Sequence, residues 1–225
     1  MLDAYDVSLA RPRGHPGFCE AQRLLRAHNP NPSAWGEVDS PKGNYFQGIR
    51  GTPASRFVPF NGGLGEGQLA WLRGSLAAAQ AAGQRVAVFS HVPFNPSSTC
   101  LYEETVWSTL LFNYEEALAA LAPYAGSTVA AVFCGHNHGG SIGCDAAGIP
   151  HFTLPSPLIF PHGSHLTVEV HPHALRLRAS GECVNLVHPD VCPSHPEFPC
   201  VPHPHAALKD RVGLTQGGSM PLREE

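Results

Sequence analysis

The sequence predicts a mixed α/β fold, a sheet layered with helices. Three observations carry that reading. Two short apolar runs end in a polar residue and glycine or proline, the profile of buried strands. A helix-period segment precedes each of them. The C-terminal third then changes character and alternates with period two around a turn. Strand–helix–strand order followed by a hairpin indicates a sheet of mixed direction.

In chain order, residues 1–10 (MLDAYDVSLA) begin abruptly on strand-like material, with only Met1 ahead of Leu2. Residues 17–28 read as a short helix with Leu24 and Leu25 as its apolar pair. Residues 29–63 are rich in Gly, Pro and Asn and are expected to hold little regular structure. Loops of that length in compact domains are often functional. Residues 65–82 form the clearest helix, with Leu69, Leu72, Leu76 and Ala79 at helical spacing and Gly83 as its stop. Arg85 to His91 is a buried-strand candidate. Asn113 is placed to cap a helix of roughly ten residues, with Leu118 and Leu121 inward and Pro123 near its end. Thr128 to Cys134 is the second buried strand. Residues 149–160 and 165–179 read as strands, the latter as a hairpin turning at His171-Pro172-His173-Ala174. From 184 to 225 Pro, His and Cys dominate, periodicity vanishes, and a flexible tail is expected. The domain assignment is therefore 1–183, then a tail.

Composition narrows the function. Hydrophobic residues make up 43%, enough for a core, while charged residues are only 14% and Gly (23) and Pro (22) are abundant. That balance fits a loop-rich scaffold rather than a helical bundle. A formal net charge of −4, with no basic stripe, gives no footprint for nucleic acid. No apolar run reaches the ~18 residues of a membrane span, and no charged-then-apolar leader stands at the N-terminus. The seven cysteines are odd in number and without CxxC spacing, so neither a disulfide framework nor a zinc ribbon is expected. They point to a reducing compartment, and a cytoplasmic location is expected. Gly62-Gly63-Leu64-Gly65 is not a phosphate-binding loop, because no Lys-Ser/Thr follows.

Two segments carry the chemistry: Ser90-His91-Val92-Pro93 and Gly135-His136-Asn137-His138. Each puts histidine at the C-terminal end of a buried strand, the edge at which open α/β sheets bind ligands. His136 and His138 are two residues apart, so on extended backbone both rings point the same way. Neutral imidazole is the commonest metal ligand, and three of them suit zinc, manganese or iron. The competing reading is that these are ordinary loop histidines. It is weakest for the Gly-His-x-His-Gly-Gly run directly behind an apolar strand.

A strand ending in Ser-His, followed further along by one ending in Gly-His-x-His, resembles the last two metal-binding motifs of the calcineurin-like phosphoesterases. More narrowly, the chain is similar to the manganese-dependent ADP-ribose/CDP-alcohol diphosphatases. The matching stretches are LDAYDVS (2–8), RAHNPN (26–31), FVPFNGGLGEGQLAWL (57–72), VFSHVPF (88–94), FNYEEALA (112–119), FCGHNHGG (133–140) and the closing LTVEVHPHALRLRASG. They run collinearly from residue 2 to about 181. The family's first three motifs, DxH, GDxxD and GNHD/E, do not occur in this sequence.

The resemblance implies the C-terminal half of a layered α/β/β/α metallophosphoesterase sandwich. It implies that His91 and His136 bind one metal and His138 the other, manganese first, with iron or zinc as alternatives. In such enzymes two metals polarise the phosphate and supply a hydroxide nucleophile. The proton-donating histidine of the family belongs to an absent motif, so no catalytic residue is assigned. The implied partner is a small nucleotide diphosphate ester, with no nucleic acid or membrane. On the substrate side, Phe60 could stack on a base, and Asn61 or Asn113 could hydrogen-bond. The plainer alternatives are a turn with left-handed glycines at 62–63 and a helix cap at Asn113. A truncated chain, inactive alone, is expected. The alternatives are a non-catalytic remnant or a phosphoesterase for other mono- or diesters. Oligomeric state is left open.

Overall fold

The computed structural model describes residues 1–37, 43–99, 107–160, 163–171 and 174–181. The expected tail, 184–225, lies outside the described residues, and so do residues 100–106 and, at the expected hairpin turn, Pro172 and His173.

A four-stranded mixed sheet forms the centre. It contains β3 (Val86–Phe89), β4 (Val129–Cys134), β5 (Ser141–Cys144) and β6 (Pro150–Thr153), in the spatial order β3-β4-β6-β5. The pairs β3/β4 and β4/β6 are parallel, and β5/β6 is antiparallel. Parallel strands need a crossover, and here the segment containing helix α3 (Tyr114–Leu121) connects β3 to β4. β4 is buried at all six positions, as expected of a central strand with layers on both faces.

Helix α2 (Glu66–Ala81) buries Leu69, Leu72, Leu76 and Ala79, the four residues at helical spacing. It packs with α3 over one face of the sheet, in a core that includes Val88, Val129 and Val132. On the other face lies a hairpin of β7 (Ser164–His171) and β8 (Ala174–Gly181), in register from Ser164↔Gly181 to His171↔Ala174. Leu175 and Leu177 from the hairpin pack on Ala130, Ala131, Phe133 and Phe152. Helix, sheet and hairpin follow one another in the α/β/β order of the expected sandwich.

Helix α1 (Pro16–His28) begins on a His15 cap whose Nδ1 accepts the Gly17 N–H, with Pro16 in the first turn. It buries Leu25, whereas Leu24 stays partly exposed, and packs with Val7, Phe57 and Phe112 in a satellite cluster.

Several expectations need correction. Only Val7–Ser8 (β1) is a strand within residues 1–10, pairing with Gly62–Gly63 (β2). β3 is not a strand buried on both faces but a sheet edge: Val86 and Ala87 are half-buried and Phe89 is 42% exposed. The strand expected over 149–160 stops at Thr153, before Pro155 and Pro157, prolines that cannot donate to a ladder. β5 was not expected at all. In α3 the buried residues are Ala117, Ala120 and Leu121, with Leu118 at the core's margin. The helix has eight residues and runs on as a 3-10 turn, Ala122–Tyr124.

The long segment 29–63 holds two 3-10 turns, at Pro32–Ala34 and Pro53–Arg56, and no longer element among its described residues. Side-chain amides tie it down instead. Asn29 Nδ2 donates to the carbonyls of Tyr45 and Phe57, and Asn31 Nδ2 to those of Tyr45 and Gln47. A loop without ladder partners needs such bonds wherever its carbonyls are buried.

Candidate metal centre

Parallel pairing of β3 and β4 brings their C-terminal ends together, so the two histidine segments leave the sheet side by side. The Ser90 N–H donates to the Phe133 carbonyl, and the Gly135 N–H to the His91 carbonyl at 3.0 Å. Ser90 Oγ is buried and donates to the Val92 carbonyl at 2.8 Å, which holds the turn into Pro93. The rings of His91 and His136 then meet edge to face with centroids 5.1 Å apart. Tyr5 lies beside His91 at 5.8 Å.

The Gly135–His138 segment is not the extended backbone that simple alternation assumes. His136 has φ +64°, the left-handed region that non-glycine residues seldom adopt. The Asn137 N–H returns to the Gly135 carbonyl at 2.7 Å and closes a tight three-residue turn around His136. Turns of this hand are strained, and such strain concentrates at functional sites. Asn137 between the two histidines is buried. Its Nδ2 donates to the Thr99 carbonyl and to Thr109 Oγ1, and its Oδ1 accepts the Gly139 N–H. Both described ends of the 95–113 loop are thereby fastened to the histidine turn.

Electrostatics favour neutral rings. Burial, and then the charges that His91 and His138 would carry, hold the His136 imidazole down at about 4. Burial, and then His138, lower His91 as well. His138 is exposed. The charge His138 would carry lowers both of the other rings, which puts it near them.

Neutral imidazoles are the protonation state a divalent cation requires of its nitrogen ligands. The donor chemistry therefore fits part of a metal centre. Among the described residues, no group of three or more His, Cys, Asp or Glu side chains is drawn together closely enough to hold a metal ion. Among the described residues, no carboxylate joins these histidines in such a group.

The substrate-side candidates separate. Phe60 is 41% exposed, with its ring centroid 6.0 Å from His136 and 6.4 and 6.3 Å from Tyr45 and Phe46. This makes an aromatic rim beside the histidines. Asn61 is fully buried, and both ends of its amide are engaged within the protein: Oδ1 lies 2.7 Å from His136 Nε2, and Nδ2 donates to the carbonyls of Arg56 and Ser108. Asn113 lines a different cleft, with Leu64, Glu66, Arg73 and Glu116. It clamps the backbone of Leu64 through both amide atoms and makes no side-chain cap bond to α3. Gly62 and Gly63 form β2 and neither has positive φ, so the left-handed turn alternative does not hold.

Sequence reasoning did not single out Asn137, although its place inside the Gly-His-x-His run was the available signal. It also did not single out the groove of about 610 Å³ between His91, Phe89, Phe133, Leu166 and Val168. A buried pair, His151 Nε2 to Asp145 Oδ2 at 3.1 Å, lies in the β5–β6 hairpin. Burial lowers the His151 pKa despite the carboxylate beside it.

No family model matches the chain. Curated proteins do. The chain is 38% identical over 183 residues to a manganese-dependent ADP-ribose/CDP-alcohol diphosphatase of Oryza sativa subsp. japonica, covering 80% of this chain and 51% of that protein. It is 32% identical to the Homo sapiens protein of the same name, covering 80% and 48%. Among solved structures, a dimetal phosphatase from Danio rerio superposes with a TM-score of 0.65 at 27% identity, over 80% of this chain and 52% of that one. By sequence and by fold, the chain is similar to the manganese-dependent ADP-ribose/CDP-alcohol diphosphatases and to a dimetal phosphatase, and it spans about half the length of the curated relatives it matches.

Proposed function

We propose that this chain supplies the histidine side of a two-metal phosphoesterase centre that hydrolyses the diphosphate bond of nucleotide diphosphate esters of the ADP-ribose or CDP-alcohol type. The observation that carries the reading is the pairing of His91 with His136 at the end of the parallel strands, with His138 in the same neighbourhood. His91 and His136 would hold one divalent ion, manganese by likeness to the relatives' names, and His138 the other. When bound, the metals supply Lewis acidity and a hydroxide nucleophile. The protein's own contribution is to hold neutral imidazoles in a fixed relation and to present an aromatic rim. Phe60, exposed beside His136 and flanked by Tyr45 and Phe46, suits stacking on a nucleobase.

A second reading, a non-catalytic remnant, draws on the lack of a carboxylate-bearing metal cluster among the described residues. Both readings agree that this chain alone does not turn over substrate. The test is Mn²⁺-supplemented hydrolysis of ADP-ribose and CDP-choline by this chain, alone and combined with the complementary half of the rice relative. Activity only in the combination supports the first reading. Inactivity in both favours the second.

A further inference from the structure

We propose that Asn61 is a positioning residue that fixes His136 as the Nε2–H tautomer and so makes Nδ1 its metal-binding atom. The proposal rests on the metal-centre reading for the last step only; the tautomer follows from hydrogen-bond geometry. A side-chain amide has one face that only donates and one that only accepts. Nδ2 of Asn61 lies 2.9 Å from the Arg56 carbonyl and 2.9 Å from the Ser108 carbonyl, two acceptors that demand its two N–H bonds. The flipped amide would set Oδ1 against both carbonyl oxygens in a fully buried place, with no proton between them. Oδ1 must therefore face His136, whose Nε2 stands 2.7 Å away. An oxygen accepts, so Nε2 carries the proton. In a neutral imidazole the remaining lone pair is then on Nδ1.

The arrangement has the logic of metal sites generally, where the ring nitrogen away from the metal donates to an outer partner that sets tautomer and orientation. Here the partner is 75 residues distant in sequence. It is held by three elements at once: the Arg56 turn, the loop at Ser108 and the antiparallel β1–β2 pair that begins at Gly62. The His136 ring is thus oriented from both sides, by its own tight turn and by Asn61. This also accounts for a fully buried asparagine between an exposed phenylalanine and two glycines.

The direct test is long-range ¹H–¹⁵N NMR of the histidine side chains in the full chain, without metal and then with Zn²⁺ as a diamagnetic probe. The metal-free spectrum should show His136 protonated at Nε2 and unprotonated at Nδ1. Zinc should then shift Nδ1 and leave the Nε2 proton in place. In Asn61→Ala the metal-free tautomers should become mixed, and zinc affinity should fall by about tenfold or more. A His136 protonated at Nδ1 in the wild-type, metal-free spectrum overturns the proposal without recourse to any variant. Zinc bound through Nε2 overturns it equally. Zinc that perturbs none of His91, His136 and His138 contradicts the metal-centre reading and the metal-facing assignment with it, and the metal-free spectrum tells that failure apart from a wrong tautomer.

Discussion

The imidazole of His91 meets that of His136 edge to face, 5.1 Å between centroids, because β3 and β4 run parallel and end at the same level. Two residues from separate motifs are thereby made neighbours by one register. Desolvation, and then the charge His138 would carry, lowers the pKa of His91, and burial together with both neighbouring histidines lowers that of His136 further. The consequences of this arrangement, and of the structure that supports it, can be measured.

Asn137 should be a structural clamp for the site. Asn137→Ala removes the amide that donates to the buried Thr99 carbonyl and to Thr109 Oγ1. A loss of about 1–2 kcal/mol is expected, the net worth of the buried hydrogen bonds removed. Urea denaturation measures it, and an unchanged midpoint would show that the loop is held by other contacts.

Gly62 should not tolerate a side chain. A Cβ there would stand 2.2 Å from the Ala4 carbonyl oxygen, which is backbone and cannot step aside. Gly62→Ala should separate β1 from β2 and cost about 1–3 kcal/mol, as overpacking does. Thermal denaturation checks this, and it also reports on the segment that carries Asn61.

Stability should decline in mild acid. The folded-state pKa of His151 is lowered by burial, so the folded chain resists a proton that the unfolded chain accepts below about 6.5. Stability from this group is complete above that value and falls as pH drops through it. Asp145 acts in a lower window: burial pushes its carboxyl up, but its bond to His151 and the Ile149 and Ala147 N–H groups outweigh that and hold its pKa below the ordinary value, so its contribution is lost only as pH falls below the normal carboxylate range. The melting temperature should therefore fall between pH 7 and pH 5, and less steeply in His151→Gln. A flat profile in the wild-type chain would contradict this.

The β3 edge should drive self-association. Phe89 is 42% exposed on an edge strand, stacked on Phe133 and bordering the groove that reaches Leu166 and Val168. Exposed apolar edges pair with other chains. Phe89→Lys should raise the monomer fraction in light scattering, and equal association in both proteins would show that another surface is responsible.

Much of this architecture was legible in the sequence. α2 could be read because Leu69, Leu72, Leu76 and Ala79 keep helical spacing, and β4 because an apolar run ends in glycine. The hairpin could be read from its alternation. β5 could not, because Ser141-Ile142-Gly143-Cys144 follows two glycines and has little apolar signal; its place is set by pairing with β6. The edge position of β3 depends on strand order, which local pattern does not encode. His91, His136 and His138 were visible as motifs. The turn at His136 and its bond to Asn61 were not, since they join positions far apart in the chain.

If His91, His136 and His138 share one metal-binding neighbourhood, Mn²⁺ binding followed by electron paramagnetic resonance will show it. The wild-type chain should take up Mn²⁺, and His91→Ala, His136→Ala and His138→Ala should each weaken binding by about tenfold or more. Equal affinity in the wild-type chain and all three variants would contradict the account.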